Sequence, residues 1–402
     1  MSRPQDPGST GPGSTGPAST GNGHEPGLAA RVRERWGVHG RGQHERDRAE
    51  ARSVDLQDGA RHGGARPGGG RRGEHGGGRR GEGRGGEQFV VPRAQPDSYY
   101  GKPIIKEPVW QSRDVAGYLF FGGLAGASSV LAGFAQAAGN HRQAQVSKVA
   151  AVSAIGLSGV ALVADLGRPE RFLNMLRVFK PSSPMSVGSW LLSGFGGASA
   201  ASAACAVTGR LPKVGAAATA GAALIGPAVC TYTAALICDT AVPAWHDAHR
   251  EMPYLFAGSA ASAAGGLGML ALPGHAGQAA RFAALGAITE MSAKSRMLRR
   301  LGETGEPYQT GRAGSLLDAA ELLTAAGAAG AVLAAAGDAL GGGVLGRRSR
   351  VVTALSGAAL VTASALTRFG LFEAGRTSAR DPKYVVRPQR ERLAAKAREL
   401  AP

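Results

Sequence analysis

Only three cysteines occur in the 402 residues, Cys205, Cys230 and Cys238, and no two have the Cys-x-x-Cys spacing. A lone chain of this kind cannot ligate an iron–sulphur cluster or a paired-thiolate zinc site. Histidine offers little more, because His141, His246, His249 and His275 fall in or beside the gaps between apolar runs. A haem held between membrane helices needs an axial ligand facing the bundle interior, so a haem is not expected. His246 and His249 flank Asp247 in PAWHDAHRE (243–251) and have the chemistry of metal ligands, but a pair of polar residues at an interface is the commoner outcome. Aromatics make up 5% of the chain, and none lies between Trp36 and Phe89 to stack on the bases of a single strand.

Apolar runs are missing from Met1 to about Pro108. This stretch instead holds GPGSTGPASTGNG (11–23) and GGARPGGGRRGEHGGGRRGEGRGGE (63–87). Such Gly/Arg/Pro/Ser repeats bury too little apolar surface to offset chain entropy, so a disordered tail is expected over 1–108. Its arginines suit anionic lipid head groups, and without interleaved aromatics they argue against nucleic acid. Neither Arg71-Arg72 nor Arg79-Arg80 precedes an apolar segment, so neither reads as an export signal, and the first membrane helix is expected to direct insertion.

The rest of the chain is a different material. Eight apolar segments follow one another at 115–139, 146–165, 187–208, 214–238, 254–272, 279–298, 316–336 and 351–371. Each is close to the roughly 20 residues that cross a hydrocarbon core of about 30 Å. Their small residues, as in GGLAGASS (122–129) and SGFGGASAASAA (193–204), permit close backbone approach between membrane helices. The fold class that follows is an all-α, polytopic membrane bundle of about eight transmembrane helices over 109–375, with a basic tail at 376–402. Lys and Arg are denser in the connectors on the N-terminal side, including Lys102, Arg113, Arg177, Lys180, Arg250 and Arg312, than in those on the other side. The positive-inside rule therefore puts both termini in the cytoplasm of a multi-pass plasma-membrane protein. The net charge of +17 reads as topology plus tail.

Three runs carry a resemblance. DLGRPERFLNMLRVFKPSSPMSVGSW (165–190), TYTAALICDTAVPAWHDA (231–248) and FEAGRTSARDPKYVVRPQRER (372–392), in that order, resemble the membrane subunits of the NrfD/polysulphide reductase family. The resemblance spans about 115–392. It implies a haem-free anchor that binds quinone, menaquinone or ubiquinone. It also implies two partners, a ferredoxin-like iron–sulphur protein with four clusters and a molybdopterin catalytic subunit of the formate dehydrogenase or polysulphide reductase type. The want of cluster and haem ligands fits redox centres that belong to partners.

Quinone reduction takes up protons, so a site needs a protonatable group within hydrogen-bond reach. Asp165, near the C-terminal end of the second span, is one candidate, and Arg168 and Arg171 beside it supply the alternative of a structural ion pair. Tyr232-Thr233-Ala234 is similar to the family's Tyr-Thr-Gly, with Ala in place of Gly, and the resemblance places Tyr232 at the quinone pocket. A helix-to-helix hydrogen bond is the plainer role for a buried phenol. Asp165, Tyr232 and Arg168 are therefore the expected quinone-binding or proton-donating residues. Glu290 and Lys294, four apart in the sixth span, are expected to pair with one another or to carry protons. Asp318 and Glu321 read as capping and dipole compensation. Glu170, Arg171 and Arg177 in the connector, with Arg376 and Arg380 near the C-terminus, are expected to dock the partner subunit, and Trp190 and Trp245 to anchor the bundle at head-group level. A transporter or proton channel, or a purely structural anchor, remains the alternative.

Overall fold

The computed structural model describes residues 104–108, 110, 112–166, 174–339 and 347–399. The tail expected to be disordered lies outside this set up to residue 103, and so do Arg168, Glu170 and Arg171 of the connector. Among the described residues there are helices and no strands.

Eight helices are long: α1 (Ser112–Ala137), α2 (His141–Leu166), α3 (Pro184–Thr208), α4 (Pro212–Cys238), α5 (Met252–Ala271), α6 (Gly277–Leu301), α7 (Gly311–Ala339) and α8 (Arg347–Arg380). Each answers to one of the eight apolar segments. A short helix, Pro243–Asp247, continues as the 3-10 turn Ala248–Arg250 between α4 and α5; a 3-10 segment, Gly302–Tyr308, joins α6 to α7; and α9 (Lys383–Glu399) follows α8. Seven of the long helices, all but α6, are long and apolar enough to cross a membrane. The exception is compositional. α6 carries Arg281, Glu290, Lys294, Arg296, Arg299 and Arg300 in 25 residues, yet it packs antiparallel to α5 along a buried ladder of Ala279, Ala283 and Ala287.

Proline and glycine mark the ends. Prolines in the first turn open α3, α4 and α5, where a missing N–H costs nothing. Gly209 closes α3 in the left-handed region at φ 67°, and its N–H reaches the Cys205 carbonyl at 3.0 Å. α8 runs to Arg380, past the expected end of the bundle at 375, so Arg376 and Arg380 sit on a packed helix instead of a loose tail.

The packing order divides the helices into two four-membered rings. In the first, α1 meets α2, α2 meets α3, α3 meets α4 and α4 returns to α1; in the second, α5, α6, α7 and α8 close in the same way. The rings join where α1 packs on α5 and α8, and where α4 packs on α5. Close approach at the α1–α4 crossing depends on glycine: a Cβ on Gly126 would stand 2.5 Å from the Gly226 carbonyl oxygen, and one on Gly226 2.5 Å from the Gly126 oxygen. Ser129 spans the same crossing by donating to the Ala222 carbonyl at 3.0 Å.

Trp245 departs from expectation. Far from anchoring the bundle at the head-group level, its indole is fully buried, donates to the Leu371 carbonyl at 2.8 Å and stacks on Trp110 with ring centroids 6.3 Å apart. The short helix tucks it under the end of α8, against Gly375, where any side chain would collide with the ring. Trp190 is half-exposed and meets the edge of Phe179.

Candidate functional site

The first ring holds two facing phenols. Tyr118 of α1 and Tyr232 of α4 are hydrogen-bonded hydroxyl to hydroxyl. Each lies six residues from the same-side end of its helix, about 9 Å below it at 1.5 Å per residue. Gly188 of α3 makes room for the Tyr232 ring, which would collide with any Cβ there. From α2, Ser158 donates to the Tyr118 carbonyl at 3.2 Å. All four helices of the ring thus converge on the pair. Tyr118 is 3% exposed, and Phe195 and Val229 belong to the same buried cluster.

Asp165 lies seven residues beyond Ser158 on α2, about 10 Å nearer the membrane surface along the helix, and is exposed. The structure therefore sets the carboxylate at the rim and the phenols below it. Tyr232 comes together with Tyr118, which the sequence did not single out.

The second ring buries charge. Glu290, near the middle of α6 and 5% exposed, accepts from the Thr367 hydroxyl at 2.9 Å and from the Ser262 hydroxyl at 3.2 Å. Next to Thr367 on α8, Arg368 is 1% exposed. Its guanidinium carbon lies 3.9 Å from the centroid of the Phe256 ring, and Nη2 donates to the Phe256 carbonyl at 2.9 Å. Nε and Nη1 of Arg368 have no hydrogen-bond partner among the described residues. Its positive charge acts on both Glu290 and Cys230 of α4, and the Cys230 thiol bonds the Gly123 carbonyl at 3.4 Å. Cys230 is two residues from Tyr232 and Gly123 five from Tyr118, so the buried arginine sits at the seam between the charged ring and the phenolic one.

Lys294 does not pair with Glu290. It reaches across to α7, where it meets Glu321 at 2.6 Å and the Leu317 carbonyl at 3.1 Å. Glu321 is therefore an interhelical partner and not a helix-start carboxylate, because the rotation of α6 that buries Glu290 turns Lys294 toward its neighbour. Asp318 is exposed.

On the surface shared by the chain ends of the bundle, Arg376 and Arg380 both bind Glu107, at 2.8 and 2.7 Å. The Arg380 hydrogen bond, against burial and with help from Arg376, holds the Glu107 carboxyl below the usual range. Arg177 in the connector is exposed. His246 and His249 are used locally: each Nδ1 meets a backbone carbonyl, that of Cys238 at 3.2 Å and that of His246 at 2.9 Å. Among the described residues no group of three or more metal-binding side chains occurs.

Tyr118 and Arg368 are the residues that sequence reasoning missed. An arginine inside an apolar span is a signal on its face, since ionisable groups at that depth are rare and functional by default. Tyr118 gave none, because its partner lies 114 residues away.

Residues 104–302 match the family model described as polysulphide reductase, NrfD. The match covers α1 to α6 and ends before α7, so Arg368 lies beyond it. No curated protein matches the chain.

Proposed function

Through residues 104–302 this chain belongs to the NrfD polysulphide reductase family of membrane subunits, and from that premise we propose that it binds quinone or quinol and exchanges electrons between the quinone pool and an iron–sulphur partner. The partner in turn serves a molybdopterin catalytic subunit of the formate dehydrogenase or polysulphide reductase type. The observation that carries this reading is the phenol pair of Tyr118 and Tyr232, about 9 Å below one membrane surface and reached by all four helices of the first ring.

The residues fit such a group. A quinone carbonyl accepts hydrogen bonds, and two phenolic donors from different helices converge on one point in an apolar wall. Bound quinone supplies a two-electron, two-proton couple. In the bonded pair one phenol donates to the other, so the remaining hydroxyl proton of Tyr118 or Tyr232 is donated to the head-group oxygen while the partner phenol holds that hydroxyl in place. Asp165, at the rim above them, exchanges protons with the aqueous side, and Arg168, three residues on in the sequence, is assigned to the same task. Glu290, with its serine and threonine donors and the nearby Arg368, holds a carboxylate at mid-membrane depth, which favours a proton path through the second ring. Lys294 serves that path as the anchor between α6 and α7.

Docking of the partner subunit is assigned to Arg177 and, from their place in the sequence alone, to Glu170 and Arg171. Arg376 and Arg380 contribute to that surface while clamping Glu107. Both termini are cytoplasmic in this reading, and the chain resides in the plasma membrane.

The test is purification of the chain with its partners, followed by Tyr232→Phe and Asp165→Asn variants. Quinol-linked turnover is expected to fall on the order of 100-fold, with subunit composition unchanged and turnover against a soluble dye retained. Unchanged quinol-linked turnover in both variants would leave a structural anchor. A chain that purifies alone, without iron or molybdenum, would favour a transporter.

A further inference from the structure

The exposed stripe of α6 runs Arg281, Leu285, Ile288, Ser292, Arg296 and Arg299, charged at both ends and uncharged between, with Leu285 and Ile288 its apolar part. Arg281 is paired with Asp338 of α7. At the other end Arg296 and Arg299 make no hydrogen bond or ion pair among the described residues, although a third guanidinium, Arg250, stands beside them. These three line a groove of about 800 Å³ between α5 and α6, together with Tyr254 and Ile288. The acidic residue in its wall, Glu251, does not cancel them. Both of its oxygens are held by Arg300, at 2.8 and 2.6 Å.

We propose that this groove binds an anionic phospholipid. Its phosphate lies among Arg250, Arg296 and Arg299, and its acyl chain runs down Ile288 and Leu285. Depth selects a lipid over a soluble protein. Ile288 is eleven residues below Arg299, about 16 Å along the helix and so within the hydrocarbon layer, where a soluble partner does not reach. Charge selects an anion: the upper part of the groove carries two arginines with no partner among the described residues and a third beside a neutralised carboxylate. Tyr254, 66% exposed, sits at the depth where a phenol's apolar ring and polar tip suit the head-group region. The proposal does not depend on the quinone reading, since the groove lies on the outer face of the second ring.

Native mass spectrometry of the full chain in detergent, titrated with phosphatidylglycerol or phosphatidylcholine, tests it. Wild type is expected to retain phosphatidylglycerol over phosphatidylcholine. Arg296→Gln with Arg299→Gln should weaken phosphatidylglycerol binding roughly 30-fold, the combined effect of two near-surface cations. Lys213→Gln, on the opposite membrane face, should change nothing. Both arginines are exposed, so folding should survive, and Arg299→Gln alone repeats the test with about a fivefold loss expected from one cation. Equal retention of the two lipids, or wild-type affinity in the double variant, would overturn the proposal. Displacement of the lipid by millimolar inorganic phosphate would make it a free-anion site, and a photo-crosslinker at Ile288 that captures a protein in native membranes would make it a subunit interface; either result also overturns the assignment.

Discussion

Thr367 donates its hydroxyl to Glu290 at 2.9 Å, and the residue that follows it is the buried Arg368. One turn of α8 thus supplies a hydrogen bond to the carboxyl group and, without a direct ion pair, a positive charge close enough to act on it.

The first prediction follows from that arrangement. Glu290→Leu should lower the stability of the second ring by about 1–3 kcal/mol, since the Thr367 and Ser262 hydroxyls lose their acceptor and Arg368 a nearby counter-charge, and Glu290→Leu combined with Arg368→Met should recover part of the loss. Thermal midpoints in detergent for the two single variants and the double variant check this. Additive losses would show that the two charges are uncoupled.

Glycine at the α1–α4 crossing is the second. Gly126→Ala puts a methyl 2.5 Å from a backbone oxygen that cannot move aside, and overpacking of this kind costs about 1–3 kcal/mol. Gly156→Ala on α2, where nothing lies within 4 Å, should be neutral or stabilising by up to about 1 kcal/mol. A midpoint that falls equally in both variants would dissociate the effect from the crossing.

Acid should loosen the junction of α5 and α6. The hydrogen bond from Arg300 holds the Glu251 carboxyl below the usual carboxylate range. A group whose folded value is depressed contributes stability that is fully present above its unfolded value and is lost as pH falls through the folded one. The thermal midpoint of the wild type should therefore drop on acidification below about pH 4.5 more steeply than that of Glu251→Gln. Parallel curves would refute the contribution.

The phenols give the fourth. Tyr118→Phe should reduce quinol-linked turnover on the order of tenfold to 100-fold, and adding Tyr232→Phe should cost little more, because the two hydroxyls act on one position. Independent, multiplying losses would mean that they serve different steps.

Much of the bundle was legible because membrane helices announce themselves by length and apolarity. The expected 115–139 became Ser112–Ala137, and 316–336 became Gly311–Ala339. What escaped were facts about rotation and pairing. Glu290 and Lys294 are four residues apart and look like partners, but burial of the first on α5 and α8 turns the second toward Glu321 of α7. Arg368 vanished into the average hydropathy of its span. Trp245 carries the composition of an interfacial anchor, and only the fold of its short helix shows that the indole points inward. Arg376 and Arg380 read as docking residues on a basic tail, while each already holds Glu107.

That last clamp also sets a clock. Glu107 meets Arg376 and Arg380 across 269 and 273 residues of sequence, so the contact cannot form until the last long helix has left the ribosome and entered the bilayer. Ring closure among α1 to α4 draws on nearer neighbours and can precede it, whereas the seam of α1 with α8 must come last. Assembly of the eight-helix bundle therefore closes with a latch between the segment before α1 and the end of α8, and a chain stopped short of Arg376 would lack it.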